Sequence, residues 1–153
     1  QESLDESSMA DIFYAMVDRR SFELSYSRLG QVVVVHQKSE SGELEILPAQ
    51  TGPISLKFVP PKESGKIFLS PNDRIIVATP GIVKATNLAG ESFGIERLLS
   101  TIMSAPKQGV HDIRNEILVS LAKFSQGCEV RRDQTLLVAE VNDRVIKLAQ
   151  PEN

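Results

Sequence analysis

The sequence contains no tryptophan, one cysteine and two histidines among its 153 residues. Because Cys128 is the only thiol, the chain has no internal disulfide, which favours a reducing, cytoplasmic location. His36 and His111 fit no zinc-ligand spacing and no Cys-His nucleophile pair. We interpret His36 as a strand-end residue, His111 as a helix-start residue and Cys128 as a residue that fills space.

Long apolar runs and clusters of basic residues are also missing. Apolar stretches such as residues 32–35 are far shorter than the ~20 residues that a membrane helix requires, so we predict no membrane span. The net charge is -3 and the sequence pI is about 5.4, with lysine and arginine scattered along the chain. Such a charge distribution does not attract a phosphate backbone, and we predict no nucleic-acid partner.

The composition that is present fits one domain. Hydrophobic residues make up 41% and charged residues 24% of the chain, enough at this length for a single core. We predict one domain over residues 9–149, preceded by an acidic flexible segment, 1–8, and followed by a tail, 150–153. The chain starts at Gln1 without an initiator methionine, and we expect the natural protein to extend upstream.

The first half of the chain is rich in predicted strands. Residues 12–17 and 22–26 flank a polar turn and predict a β-hairpin, and the β-branched run at 31–37 predicts a central, doubly buried strand. Residues 43–47 alternate between apolar and polar. These segments predict three or four neighbouring antiparallel strands, in the simplest case a meander. Proline and glycine punctuate residues 48–65, which predicts an irregular loop with one short strand near 54–58.

The second half mixes strands with helices. Residues 74–79 predict a buried strand that ends at a Pro-Gly turn, and 135–141 with 144–148 predict a second hairpin. Apolar residues recur with helical spacing from Ile95 to Met103 and from Ile113 to Phe124. Between the strand and the first helix, Gly-Glu-Ser-Phe-Gly lacks the Lys and Ser/Thr of a phosphate-binding loop, so we interpret it as the turn that packs Phe93 under the helix. Together these patterns predict an α+β domain with largely antiparallel sheet.

Three segments in this order carry a resemblance. The first, at 71–81, is Pro-Asn-Asp followed by an apolar strand and Thr-Pro-Gly. The second, from residue 90, is Gly-Glu-Ser-Phe-Gly followed by a helix. The third, at 132–138, is Arg-Asp-Gln-Thr followed by an apolar strand. Their succession resembles the metal-dependent protein phosphatase 2C-type serine/threonine phosphatases, and in particular the bacterial branch named for the stage II sporulation protein E. The resemblance implies an αββα sandwich of two packed antiparallel sheets. It also implies that the opening strands, with a first metal motif, precede Gln1.

The resemblance further implies which residues matter for catalysis. Family members hold two manganese or magnesium ions that activate a water to attack the phosphoryl group, and such ions require oxygen ligands. The family's Thr-Asp-Gly aspartate falls at Pro80, and the first aspartate of its Asp-Asp-x-Thr motif falls at Arg132. Neither side chain offers an anionic oxygen, so we expect no bound metal and no catalytic residue. Pro80 also fits an ordinary turn, and Asp133 fits an ion-paired surface group beside Arg131.

Two functional classes follow from this resemblance. We favour a pseudophosphatase that binds a protein partner, such as a phosphorylated regulatory protein, in a bacterial phospho-signalling or sigma-factor control pathway. The alternative is an active manganese- or magnesium-dependent phosphatase whose metal site is completed outside this chain. The sequence also leaves a homodimer open. The expected partner-binding residues lie around the former metal cleft: Thr79, Gly81, Arg131, Arg132, Asp133 and Thr135.

Overall fold

The computed structural model describes residues 9–55, 60–61, 63–105, 109–142 and 145–148. Within these residues no helix has the length and apolar character needed to cross a membrane. In chain order the elements are β1 (Ile12–Val17), β2 (Glu23–Leu29), β3 (Val33–Gln37), β4 (Leu44–Ile46), β5 (Gly65–Phe68), β6 (Arg74–Ala78), α1 (Pro80–Val83), α2 (Gly94–Ser104), α3 (Val110–Phe124), β7 (Leu136–Asn142) and β8 (Val145–Leu148).

The strands form two antiparallel sheets. One has three strands in the order β1-β2-β5, and the other has five in the order β4-β3-β6-β7-β8. The prediction of largely antiparallel sheet in an α+β domain is therefore confirmed. The chain crosses from the first sheet to the second between β2 and β3, at Gly30, which has a φ of +81°. It returns to the first sheet for β5 and crosses again for β6.

The predicted meander of neighbouring strands is wrong because β2 and β3 lie in different sheets. The predicted hairpin of β1 and β2 forms, and β3 pairs with β4, but these two pairs lie in separate sheets. The reason lies in the two apolar faces of β3. Val33 and Val35 pack in the cluster beneath the helices, whereas Val34 packs in the cluster between the sheets. A strand that is apolar on both faces is buried best at the centre of a large, covered sheet.

The two hydrophobic clusters meet across β3 and β6. Ile76 and Ala78 of β6 join the helix-side cluster, and Ile75 joins the cluster between the sheets. Successive side chains of a strand point to opposite faces, which explains this division. The five-stranded sheet thus forms the middle layer, and it positions the residues that follow the end of β6.

Helices α2 and α3 cover the outer face of the five-stranded sheet. The buried stripe of α2 contains Leu98 and Ile102, and that of α3 contains Ile113, Ile117 and Leu121, as the spacing predicts. Burial of each such side chain contributes roughly 1.5–3 kcal/mol relative to exposure. His111 lies in the first turn of α3, also as predicted.

The turn before α2 has the role predicted for it. Phe93 is 1% exposed, and its ring meets the Phe124 ring edge to face with the centroids 5.5 Å apart. Gly94 adopts a φ of +79°, which a glycine accepts without steric cost and which lets the chain turn into the helix. The contact ties the start of α2 to the end of α3.

Several elements differ from the sequence-based expectation. Strand β5 was not predicted, and Pro80-Gly81 begins the short helix α1 instead of forming a simple turn. Of the short strand expected near 54–58, the described part is an isolated bridge from Ile54 to Ala10. The expected segments 1–8 and 150–153, and most of the turn between β7 and β8, lie outside the described residues.

The outer face of the three-stranded sheet carries exposed apolar side chains. Ile12, Tyr14, Met16 and Phe68 are 38%, 61%, 60% and 68% exposed. Cross-strand pairing places Met16 opposite Ser25, and Glu23 opposite Phe68, on this face. The described helices all pack on the five-stranded sheet. The resemblance implies two helical layers, and the described residues contain one of them.

Candidate functional site

The site lies where β6 ends and β7 begins. The Thr79 backbone N–H donates to the Thr135 carbonyl at 3.1 Å, and the Thr135 N–H donates to the Thr79 hydroxyl oxygen at 2.9 Å. The Thr79 hydroxyl also lies 3.3 Å from the Asp133 carbonyl oxygen, to which it can donate. These bonds extend the β6–β7 pairing by one residue and hold the two predicted site segments side by side.

Pro80 is the first residue of helix α1. Thr79 is extended, with φ -71° and ψ 161°, the conformation favoured before a proline. The backbone N–H of the first helical residue forms no hydrogen bond within the helix, so a proline, which lacks this N–H, is well tolerated there. Pro80 is buried.

Gly81 lies directly against the loop that leads into β7. A Cβ atom at residue 81 would lie 2.1 Å from the Asp133 carbonyl oxygen and 3.2 Å from that of Arg132. Gln134 Nε2 reaches the Gly81 carbonyl oxygen at 3.4 Å. The sequence-based prediction that residues 79–81 and 131–135 converge on one place therefore agrees with the geometry.

The residues at this place do not fit a pair of divalent cations. Pro80 has no side-chain donor, and the Arg132 guanidinium is a cation itself. Asp133 supplies one carboxylate, and magnesium or manganese bound by a single protein carboxylate would depend on ligands from elsewhere. Among the described residues, no three or more His, Cys, Asp or Glu side chains cluster in a way that could hold a metal ion.

Arg131, Arg132 and Asp133 all project into solvent. Asp133 was interpreted as an ion-paired surface residue; its exposure agrees, but it forms no ion pair with any residue that the structure describes. The two arginines likewise form no ion pair within the described part of the chain. Their charges are therefore available to a ligand.

A depression of about 300 Å³ opens next to Gly81. Its walls come from the end of α1, including Lys84, and from the segment between α3 and β7, including Arg131 and Arg132. Lys84 lies within residues 79–85, the segment that the sequence places near the site, although Lys84 itself was not named as a binding residue. Helix α1 brings Lys84 to the same depression as Gly81.

A separate apolar cleft of about 450 Å³ lies between the two sheets. Phe13, Leu24 and Val77 are among the apolar residues that line it, and Thr79 and Thr135 are among its polar lining residues. The apolar cleft therefore adjoins the site at Thr79, and the depression lined by Lys84, Arg131 and Arg132 adjoins it at Gly81.

A second polar cluster lies at the opposite end of β6. His36 Nε2 is 2.9 Å from Asp73 Oδ2, and both residues are buried, at 2% and 3% exposure. The Asp73 carboxylate also accepts the backbone N–H groups of Ser39 and Ser70 at 2.9 Å. Burial by itself raises the pKa of Asp73, but these hydrogen bonds outweigh it, so the pKa lies below its ordinary value. This cluster anchors the turn before β6 and contributes nothing to the site around Gly81.

Comparison with known proteins identifies the family. The family model for stage II sporulation protein E, SpoIIE, matches residues 1–142. No curated protein sequence matches the chain significantly.

Solved structures share the fold. The SiaA-PP2C domain of Pseudomonas aeruginosa superposes with a TM-score of 0.72 at 19% identity, covering 84% of this chain and 50% of that one. The phosphatase domain of the cell fate determinant SpoIIE from Bacillus subtilis gives a TM-score of 0.67 at 12% identity, covering 94% and 63%. RsbX in complex with magnesium gives 0.56 at 17% identity, covering 82% and 53%.

The chain thus spans between half and two thirds of the length of these solved structures. The predicted protein phosphatase 2C-like fold is confirmed by these superpositions, and the family match covers more than nine tenths of the sequence. The chain belongs to the stage II sporulation protein E family of protein phosphatase 2C-type domains.

Proposed function

We propose that this chain is a pseudophosphatase module that binds a protein partner in a bacterial phospho-signalling or sigma-factor control pathway. The proposal is supported by Pro80 and Arg132, which the family resemblance places at two metal-ligand positions and which offer no anionic oxygen. The neighbouring contacts from Thr79 and Gly81 keep both segments in place.

Electrostatics argues against metal-dependent catalysis at this place. The metal ions of such a phosphatase neutralise charge on the phosphoryl group and generate the attacking hydroxide. A guanidinium can neutralise a phosphoryl group, but it cannot lower the pKa of a coordinated water. A module built in this way can bind an anionic group without cleaving it.

The binding surface that we propose consists of Thr79, Gly81, Arg131, Arg132, Asp133 and Thr135. These residues converge at the ends of β6 and β7, and the three from 131 to 133 are exposed. A surface of this kind offers the Thr135 hydroxyl and two cations to a partner. It would bind a phosphorylated regulatory protein through charge-assisted hydrogen bonds.

The alternative function is an active phosphatase whose metal ligands come from outside this chain. The observation in its favour is the partial coverage of the solved structures, 50% and 63% for the first two. Asp133 would then serve as one ligand of a metal ion otherwise held by other residues. For that case the cofactor would be manganese or magnesium.

Two measurements separate these functions. Calorimetric titration of the full-length natural protein with manganese should give no stoichiometric pair of sites. Hydrolysis of p-nitrophenyl phosphate in the presence of manganese should remain at the rate of a buffer blank. Turnover that is abolished by a chelator would refute the pseudophosphatase and establish the alternative.

A further inference from the structure

A further pocket lies at the start of β6, the opposite end of that strand from Gly81. Its volume is about 210 Å³, and we call it the His36 pocket. Its lining consists of His36, Lys38, Glu40, Ser41, Phe68, Ser70 and Asp73. Sites for drug-sized molecules measure ~300–1,000 Å³, so a pocket of this size suits a group no larger than one amino-acid side chain.

One ring nitrogen of His36 has no partner. The Asp73 carboxylate accepts the backbone N–H groups of Ser39 and Ser70 and lies 2.9 Å from His36 Nε2. An ionised carboxylate only accepts hydrogen bonds, so Nε2 carries the proton, and in the neutral imidazole Nδ1 then carries a lone pair. Nδ1 is buried and has no hydrogen-bond partner among the residues that the structure describes. A buried acceptor of this kind costs free energy until a donor reaches it.

Asp73 also holds the imidazole ring in a fixed orientation. His36 and Asp73 are 2% and 3% exposed, and a carboxylate that accepts one ring N–H makes the other ring nitrogen more basic. The described residues bring no three His, Cys, Asp or Glu side chains close enough to hold a metal ion. The partner that suits Nδ1 is therefore an N–H or O–H donor.

The charges around the pocket favour a donor that is a cation. The Glu40 carboxylate is exposed and forms no ion pair within the described part of the chain. Lys38, the basic side chain in the lining, is bound to Glu43 at 2.9 Å. A cationic donor would thus meet a neutral acceptor, His36 Nδ1, and an unpaired carboxylate.

Phe68 favours a flat cation. This residue ends β5 and is 68% exposed. A guanidinium stacks on aromatic rings and carries five N–H donors in a rigid fork, whereas a lysine ammonium is a compact, strongly hydrated point charge. Phe68 also belongs to the exposed apolar face of the three-stranded sheet, with Tyr14 and Met16. A polypeptide that places an arginine in the pocket can therefore rest apolar side chains on this face.

We propose that the His36 pocket binds the guanidinium group of an arginine side chain from a partner protein. His36 Nδ1 and the Glu40 carboxylate accept its N–H groups, and Phe68 is the stacking surface. The inference goes beyond the proposed function, because the pocket shares no residue with the site around Gly81 and cleaves nothing.

The test is a titration of the ¹⁵N-labelled full chain, observed by NMR of the histidine ring nitrogens. The probes are blocked peptides of the form Leu-Ala-X-Ala-Leu, in which X is arginine, lysine or citrulline, together with methylguanidinium. Citrulline has the shape of arginine without its charge. We expect the arginine peptide to shift the Nδ1 signal of His36 and to leave the ring signals of His111, in the first turn of α3, unchanged.

The relative affinities of the probes decide the assignment. The arginine peptide should bind at least tenfold more tightly than the citrulline peptide and at least threefold more tightly than the lysine peptide or methylguanidinium. A His36 Nδ1 signal that does not move, or equal binding of the citrulline peptide, would overturn the proposal. Equal binding of the lysine peptide would refute the guanidinium, and equal binding of methylguanidinium would refute the protein source.

Three variants locate the binding. In His36→Gln the side-chain amide can still donate to Asp73, but it has no acceptor in the place of Nδ1, so arginine-peptide binding should weaken at least fivefold. Glu40→Gln should also weaken it at least fivefold. Glu116→Gln removes the same charge from an exposed position on α3 and should change binding less than twofold.

The variants are compared by calorimetric titration, with thermal unfolding as the check that each one folds. Equal losses in the two glutamate variants would show that only the net charge matters and would refute the pocket. Full affinity in a folded His36→Gln protein would contradict the role of Nδ1.

Discussion

The Thr135 backbone N–H donates to the hydroxyl oxygen of Thr79 at 2.9 Å, and the Thr79 N–H donates in return to the Thr135 carbonyl at 3.1 Å. This reciprocal pair joins the residue before Pro80 to the residue that begins the approach to β7. The pair therefore fixes the distance between the end of β6 and the start of β7.

Replacement of Thr79 by valine tests that role. Thr79→Val keeps the shape of the side chain but removes the acceptor for the Thr135 N–H, and we expect the free energy of unfolding to fall by about 0.5–1.5 kcal/mol. Thr79→Ser retains the hydroxyl and should lose less. Urea denaturation of the two variants measures the difference. Equal stability of the valine and serine variants would contradict a structural role for this bond.

Gly81 is expected to tolerate no side chain. In Gly81→Ala the new methyl group meets the Asp133 backbone carbonyl, and the resulting displacement should destabilise the protein by about 1–3 kcal/mol. Gly52→Ala is the control, because a Cβ atom there has nothing within 4 Å and the φ of Gly52 is not positive. Thermal unfolding should show a lower Tm for Gly81→Ala and little change for Gly52→Ala.

The buried Asp73 predicts a dependence of stability on acid. Its pKa in the folded protein lies below the value of about 3.9 for an unfolded chain, so the ionised carboxylate stabilises the fold above pH 4. That contribution is lost as the pH falls through the pKa of the folded state. Asp73→Asn should cost about 2 kcal/mol at pH 7, because it removes a charged acceptor from buried donors.

Unfolding of the Asp73→Asn variant at several pH values checks this. The difference in unfolding free energy between the natural protein and the variant should shrink below pH 4. Asp133→Asn, an exposed carboxylate without an ion pair among the described residues, should show no such difference at any pH. A constant cost of Asp73→Asn from pH 7 to pH 3 would rule out the linkage.

Restoring the acids should restore affinity for a divalent cation. Pro80→Asp with Arg132→Asp places two carboxylates beside Asp133, and we expect manganese affinity to rise at least tenfold over the natural chain, about 1.4 kcal/mol. Pro80→Asn with Arg132→Asn matches the size of these side chains without their charge and should bind no better than the natural chain. Isothermal calorimetry compares the three proteins, and equal affinities would show that residues 80 and 132 do not face a common metal position.

Much of the fold could be predicted from local patterns. The β-branched runs of β3 and β6 and the helical stripes of α2 and α3 identify these elements, because each contributes an apolar face to the core. Strand β5 escaped prediction since only four residues form it, and its pattern begins with Gly65 after several prolines. The separation of β2 from β3 depends on contacts between segments distant in sequence, which no local pattern records.

The site divides in a similar way. The order of the motifs singled out residues 79–81 and 131–135, and the structure brings Thr79 and Gly81 into contact with residues 133–135. The same reasoning did not name Lys84 individually, since Pro80-Gly81 predicts a turn and the structure forms a helix there. The pocket beside Gly81 arises from the approach of the loop after α3, and such an approach follows only from the complete packing.

The passage of the chain back and forth between the sheets has a consequence for folding. The three-stranded sheet needs β5, which is synthesised after β3 and β4, and the five-stranded sheet needs β7, which follows all three helices. The three-stranded sheet is complete once β5 has been made, at residue 68, whereas the five-stranded sheet waits for β7 and β8, at residues 136–148. Pairings of this kind close long loops first, so the protein is expected to fold slowly and in a single cooperative transition. We expect the two sheets to gain and lose their structure together.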